Sequence, residues 1–475
     1  LRCLVGSEMC IRDRYNTDSN PIDLTDYFLS DKIDNPTKWA FPAGTTIAGN
    51  GFLRVWASGR DEGTGNNLHT NFKLKQTKNN ESVVFSYGTA IIDFYEITEA
   101  NKTNQSRGRV ADGDATWGVL TNPTPNNSNV NVNKGYTPMP VFNLEAGYYP
   151  NSITLELSSA DATANIYYTT NGDEPDNNST LYTGSVNLPN TRVIRAIAYS
   201  DDPDILPSFI ETNTYFIGTD QHTLPVVAVS GEGVEDLLND NLPWWAGAED
   251  PIGAFEYFDT NQVLVDDGVG EFNKHGNDSW AYDQRGFDYI AQDEFGYSDA
   301  IRDELFSNTD RDKFQRVILK AAANDNYSFE NGAHVRDLYV HKLSQNADLD
   351  LDERSGEFCI VYVNGQYWGV YDIREKVDDN DFTSYYYDQG REWIDFIKTW
   401  GGTWAEYGSI ADWNSLHNYI INNDMSVQSN YDYVASELNV NSLIDYMIIN
   451  TQVLATDWLN YNTAWWRGRK DDGVK

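Results

Sequence analysis

The sequence predicts a multidomain chain, two all-β sandwiches followed by an α+β segment truncated at its C-terminus. Three observations carry this. The 475 residues suggest about three domains at roughly 150 residues each. Up to residue 218, short apolar or alternating runs are broken by Gly, Asn, Asp and Pro, the texture of strands and turns. From residue 222, helical periods stand between strand-like runs, which is an α+β texture. A hydrophobic fraction of 40%, with 14 Trp and 30 Tyr, supplies material for real cores.

Taken in order, residues 1–14 read LRCLVGSEMCIRDR. They have no charged leader, apolar core or cleavage site, so they are not a secretory signal. The string CLVGSEMCIRDR resembles a translated sequencing-adapter read, and 1–14 is set apart from the fold as an artefact. The other residues hold 31 basic and 70 acidic side chains and a single cysteine, Cys359, inside the apolar run FCIVYV. One cysteine makes no internal disulfide and no Cys-rich zinc site. Strands are expected in 15–125 at FLRVWAS (52–58), SVVFSY (82–87) and IIDFYEI (91–97). The segment 122–135, NPTPNNSNVNVNKG, has no period, so a linker is placed at 126–135. Residues 136–218 again read as strands, with Asn171-Gly172 as a turn. Helices are predicted at 298–308, 333–346, 412–423 and 432–454. After Lys475 there is no closing tail, which reads as a chain cut at both ends.

Charge excludes some functions. A formal net charge of −38 repels polyphosphate and anionic lipid, so neither nucleic acid nor an anionic membrane surface is an expected partner. No apolar run reaches the ~18 residues of a membrane span.

Three stretches resemble known families. Residues 15–125 resemble the lamin-tail domain, an immunoglobulin-like sandwich, through IDLTDYFLSD (22–31), KWAFPAGTTI (38–47), LHTNFKL (68–74) and GRVADGDATWGVLTNPTPNNSN (108–129). Its usual first strand is missing, so an unpaired sheet edge is expected. Residues 136–218 resemble the immunoglobulin-like module at the C-terminus of chitobiases and hexosaminidases, through IYYTTNGDEPDNNSTLY (166–182) and RVIRAIAYS (192–200). That resemblance implies a spacer or accessory module, with glycan contact through 136–218 as its functional option. Residues 222–475 resemble the spore-coat CotH kinase family, through KHGNDSWAYDQRGFDYIAQDEFG (274–296), VILKAAANDN (317–326), VYVNGQYWGVYDIREKVDDNDF (361–382) and TDWLNYNTAWWRG (456–468). The resemblance implies a protein-kinase-like fold, ATP with Mg²⁺ or Mn²⁺ as cofactors, a protein substrate at a bacterial cell surface or coat, and a secreted or surface location.

Phosphoryl transfer needs a carboxylate near the acceptor hydroxyl, oxygen ligands for the metal and a cation on the phosphates. Asp457 and Asn462, separated by WLNY, have the Asp-to-Asn offset of a kinase catalytic loop. Asp457 would orient or deprotonate the acceptor. Asn462 would hold the metal, with Asn460 as the competing amide. For the phosphate cation the candidates are Lys274, Arg285, Lys320 and Lys376. Arg285 stands where the family commonly has a lysine, and Glu375 is the candidate acid to pair with it. GNDS at 276–279 offers a backbone-amide cradle. The family's second metal carboxylate lies in a downstream Trp-Asp-x-Asp stretch that does not occur before Lys475, so the 475-residue fragment is expected to be inactive.

Other sites fail. Asp348, Asp350 and Asp352 alternate like a calcium loop, but Glu353 and Cys359 stand where an EF-hand needs Gly and Glu. No His-Glu-x-x-His pair and no Gly-x-Ser-x-Gly elbow occurs. The leading expectation is an atypical kinase. The alternatives are a non-catalytic surface scaffold or adhesion protein, and a glycan-binding accessory protein.

Overall fold

A computed structural model describes residues 3–4, 10–64, 67–218, 222–239, 250–276, 278–325, 332–377, 380–390, 393–456, 458 and 460–470. The chain is mostly β, in several sheets, with few helices.

The first unit has two four-stranded sheets. One runs Cys10–Tyr15, Phe52–Ala57, Asn67–His69, Glu62–Thr64; the other runs Ala90–Glu96, Ser82–Tyr87, Tyr27–Ser30, Trp39–Ala40. The run FLRVWA turns Leu53, Val55 and Ala57 inward against Leu24, Leu29, Trp39 and Val83, the period of 2 expected of a strand with one buried face. The edge expected to be bare is covered. Cys10–Tyr15 pairs antiparallel along the whole of Phe52–Ala57, and Asp13 and Arg14 are buried. This corrects the expected bare edge, because residues 10–14 join the sheet: a row of unsatisfied N–H and C=O groups is a template for any extended segment next to it.

The second unit carries a five-stranded sheet ordered Gly147–Tyr149, Glu211–Ile217, Arg192–Tyr199, Asn165–Thr169, Thr180–Leu181. Its core joins Leu155, Ile166, Leu188, Ile194, Ala196 and Tyr215.

Seven further strands close into a barrel: β1 (Val226–Ser230), β2 (Ile252–Phe258), β3 (Leu264–Lys274), β4 (Phe287–Ala291), β5 (Arg316–Lys320), β6 (Gly356–Val363) and β7 (Gln366–Glu375). The order is β1-β2-β3-β4-β5-β7-β6, closed by a parallel β6–β1 pairing. Alternate residues fill the interior, among them Val227, Phe255, Phe272, Phe287, Tyr289, Val317, Leu319, Cys359, Val361, Tyr371 and Ile373. Asn364 and Gly365 join β6 to β7 with φ of 50° and 77°, the left-handed pair of a tight two-residue hairpin.

Helix α1 (Val234–Asn239) follows β1, and α2 (Arg336–Asn346) lies between β5 and β6. Val335 has no side chain able to cap α2. Asp325 Oδ2 instead accepts the N–H groups of Val335 (2.7 Å) and Arg336 (2.8 Å), meeting the helix's positive end. Gly356 gives α2 room, because a Cβ there would stand 3.0 Å from Leu338 Cδ1 and 3.1 Å from Arg374 Cβ. Beyond the barrel come α3 (Asn380–Tyr387), a sheet of β8 (Ile394–Trp400), β9 (Gly402–Tyr407) and β10 (Thr463–Gly468), and helices α4 (Ala411–Asn422), α5 (Gln428–Glu437) and α6 (Val440–Gln452).

Two helix expectations change. The predicted 432–454 run is cut at 438–439, where Asn439 caps α6 by accepting from Asn441 and Ser442 N–H. Residues 298–308 form no helix. Ile301 bridges Phe314 instead, and Ile301, Leu305 and Phe306 drop into the barrel core. Tertiary burial here overrides a helical pattern.

The excursion between β4 and β5 is gripped by both other units. Asp293 accepts the N–H groups of Gln76 (2.7 Å) and Thr77 (2.9 Å), and Lys75 pairs with Asp299. From the second unit, Ile210 donates its N–H to Tyr297 Oη and accepts the phenol in return. Phe216 packs with Val226, Ala228, Phe258, Ile360 and Tyr362 across the second joint.

Candidate active site

Pairing registers set the outer face of the barrel. Asp288 on β4 stands opposite Ile318 on β5, which stands opposite Arg374 on β7; one rung on, Lys320 faces Asp372. Arg316, Lys320, Asp372 and Arg374 therefore share the surface turned away from the apolar interior, and α2 lays Asp337 and His341 over it.

Two charge clusters result. In the first, Lys320 Nζ pairs with Asp337 Oδ2, and Arg374 Nη1 reaches the same oxygen at 2.8 Å. Arg374 is fully buried and held from below by both oxygens of Asp372, with Nη2 to Oδ2 at 2.6 Å. Burial lowers the Lys320 ammonium. For Asp337 burial opposes ionisation, but Lys320 and Arg374 overcome it and hold the carboxyl well below the usual range. His341 is pushed down to about 3 by burial and is neutral at pH 7. In the second cluster Asp288 receives Lys376 Nζ (3.4 Å), Arg316 Nη2 (2.5 Å) and His275 Nδ1 (2.8 Å).

Of the expected cations, Lys320 stands beside Arg374 at Asp337, and Lys376 belongs to the adjoining Asp288 cluster. Arg285 and Lys274 instead lie over the Trp280 ring at 4.8 and 5.0 Å. The expected Glu375–Arg285 pair is not formed. Glu375 faces the opposite way from Arg374, takes Arg311 Nη1 at 2.9 Å and accepts the Ser355 N–H at 3.0 Å. Sequence reasoning missed Asp337. The available signal was the lysine ending the apolar strand VILK, followed by a predicted helix with an acid in its first turn; kinases pair these two elements. Asn462 is exposed with φ of 55°, where the chain turns into β10. Asn460 accepts the Gly401 N–H at 2.8 Å through its carbonyl. Asp457 lies outside the described residues, as does Asn277 of the GNDS stretch.

Residues 272–475 match the family model described as CotH kinase protein. The C-terminal segment is CotH-like. The match opens at Phe272, inside β3, and covers β4 to β10 with both charge clusters. Residues 144–204 match the chitobiase/beta-hexosaminidase C-terminal domain. No curated protein matches the chain. In the CotH-like segment and the rest of the described residues, no group of three or more His, Cys, Asp or Glu is arranged to hold a metal, and no helix is long and apolar enough to cross a membrane. A Mg²⁺ that arrives with a nucleotide generally takes one or two protein oxygens and completes its shell with water and substrate phosphates.

Proposed function

We propose that the CotH-like segment is a kinase-like domain, an atypical protein kinase. The activity this reading assigns to the parent protein is transfer of the terminal phosphoryl group of ATP to a hydroxyl of a protein at a bacterial surface or coat, the 475-residue fragment itself being expected to be inactive. The observation that supports this is the Lys320–Asp337 pair. A lysine at the end of an inner strand, paired with an acid on the helix that follows, is the arrangement with which kinases hold nucleotide phosphates. Here the acid is an aspartate.

In this reading Lys320 carries the phosphates and Asp337 fixes its ammonium. Asp457 accepts the acceptor's proton as its oxygen bonds to phosphorus and the bond to the leaving ADP breaks. The amide oxygen of Asn462 or Asn460 would hold Mg²⁺ or Mn²⁺, which would supply neutralising charge for the phosphates. Arg374, Lys376 and Arg316 keep the neighbourhood positive in a chain of net charge −38. The first unit is read as a lamin-tail-like module and the second as a spacer, with secretion or surface display as the setting.

The test is ATP binding in the presence of Mg²⁺ by the 475-residue chain and its Lys320→Met variant. The variant is expected to bind at least about tenfold more weakly, as loss of one charge-assisted contact implies. Equal affinity, or a loss seen with Arg285→Ala and not with Lys320→Met, would remove Lys320 from this role. Failure of both to bind ATP would leave the non-catalytic scaffold.

A further inference from the structure

Lys320 has two acids within reach and pairs with the one on a separate element, not with its direct cross-strand neighbour. Asp372 is its direct cross-strand partner on β7, and side chains so placed stand about 5 Å apart at Cβ. Asp337 is on a separate element, 17 residues on in sequence. Asp372 does not take Lys320 because both its oxygens are engaged by Arg374, two residues along the same strand face. The remaining donor of Arg374, Nη1, goes to Asp337 Oδ2, the very oxygen that Lys320 uses.

We propose that Arg374 is a positioning residue. By occupying Asp372 and sharing Asp337, it turns Lys320 away from the sheet and towards α2, and leaves the ammonium only part-owner of its counter-ion. A lysine paired flat against Asp372 would be neutralised on the strand. A lysine sharing one oxygen with a second cation is held in place and still has attraction left for an anionic ligand. This rests on the reading of Lys320 as the phosphate-binding cation.

The test follows Lys320 itself in the whole chain without nucleotide, by the pH dependence of its acylation with an N-hydroxysuccinimide ester, quantified by peptide mass spectrometry. In Arg374→Met, Lys320 gains Asp372 and loses a like charge. Its titration is expected to move to higher pH, so acylation at fixed pH slows several-fold. Asp372→Asn removes the decoy acid and is expected to leave the profile close to wild type. The double variant Arg374→Met/Asp372→Asn removes Asp372 as a partner while the like charge stays lost, so its profile is expected to fall between those of wild type and Arg374→Met. ATP affinity should follow the same pattern, falling by about tenfold in Arg374→Met and recovering only in part in the double variant. An unchanged Lys320 profile in folded Arg374→Met, or equal shifts in both single variants, overturns the proposal. If the acylation pattern holds but ATP does not bind, the positioning stands and the kinase reading fails.

Discussion

Asp288 is 1% exposed and answers Arg316, Lys376 and His275 together. Burial opposes its charge, but His275, Lys376 and Arg316 hold its carboxyl well below the ordinary range. Its contribution to stability is present above the unfolded pKa near 3.8 and lost only as pH falls through the lower folded value. Burial pushes His275 down to about 4, so at pH 7 it is the neutral ring that hydrogen-bonds to Asp288. Asp288→Asn strands two basic side chains, and its expected cost is about 3 kcal/mol in denaturant unfolding at pH 7. At this scale the sequence was half legible. Lys320 was legible only as one of four candidate cations, although a lysine closing an apolar strand is a local pattern. Its acid, Asp337, was not among the candidates, because the meeting depends on how α2 lies over the sheet; the expected Glu375 turns instead to Arg311.

At the level of elements, Glu256 on β2 is the telling case. It is 2% exposed and accepts the Thr214 N–H at 2.8 Å, across the joint with the second unit. Burial pushes it up to about 8, and pushes Glu211 on the facing strand up to about 7. Both raised values favour the docked state when the acids are protonated. That stability is fully present below pH 4.5, the ordinary glutamate value, and is lost as pH rises through about 8. The thermal midpoint is therefore expected to fall between pH 5 and pH 8.5, and Glu256→Gln, which keeps an acceptor for Thr214, should flatten that slope. Strands such as Ser82–Tyr87 and Gly356–Val363 were legible because their apolar runs are continuous or alternate. The 298–308 helix was misread because its apolar spacing serves a loop that seals the barrel, and period alone does not separate the two.

Across the whole molecule, the sequence suggested beads on linkers, and the joints were invisible. Phe216, Val226 and Ile360 look like ordinary strand residues, and only their assembly makes an interface. Asp293 is likewise one acid among 72 acidic side chains, until Gln76 and Thr77 are seen to donate to it. Asp293→Ala is expected to release the first unit. Small-angle scattering should then show a larger radius of gyration, with the thermal midpoint of the barrel little changed. Restoring wild-type scattering in the variant would rule out Asp293 as the anchor.

The shared excursion between β4 and β5 also has a mechanical meaning. A load applied at the N-terminal end divides between two parallel paths, the covalent stretch through 122–135 and the compact grip of Lys75, Gln76 and Thr77 on residues 293–299. The first path is itself pinned to the first unit, where Val119 and Asn133 exchange backbone hydrogen bonds, so both paths carry load. Tension in the second path arrives two residues past Ala291, the end of β4, so a tether pulling on the outermost unit strains the strand that pairs with the lysine's own.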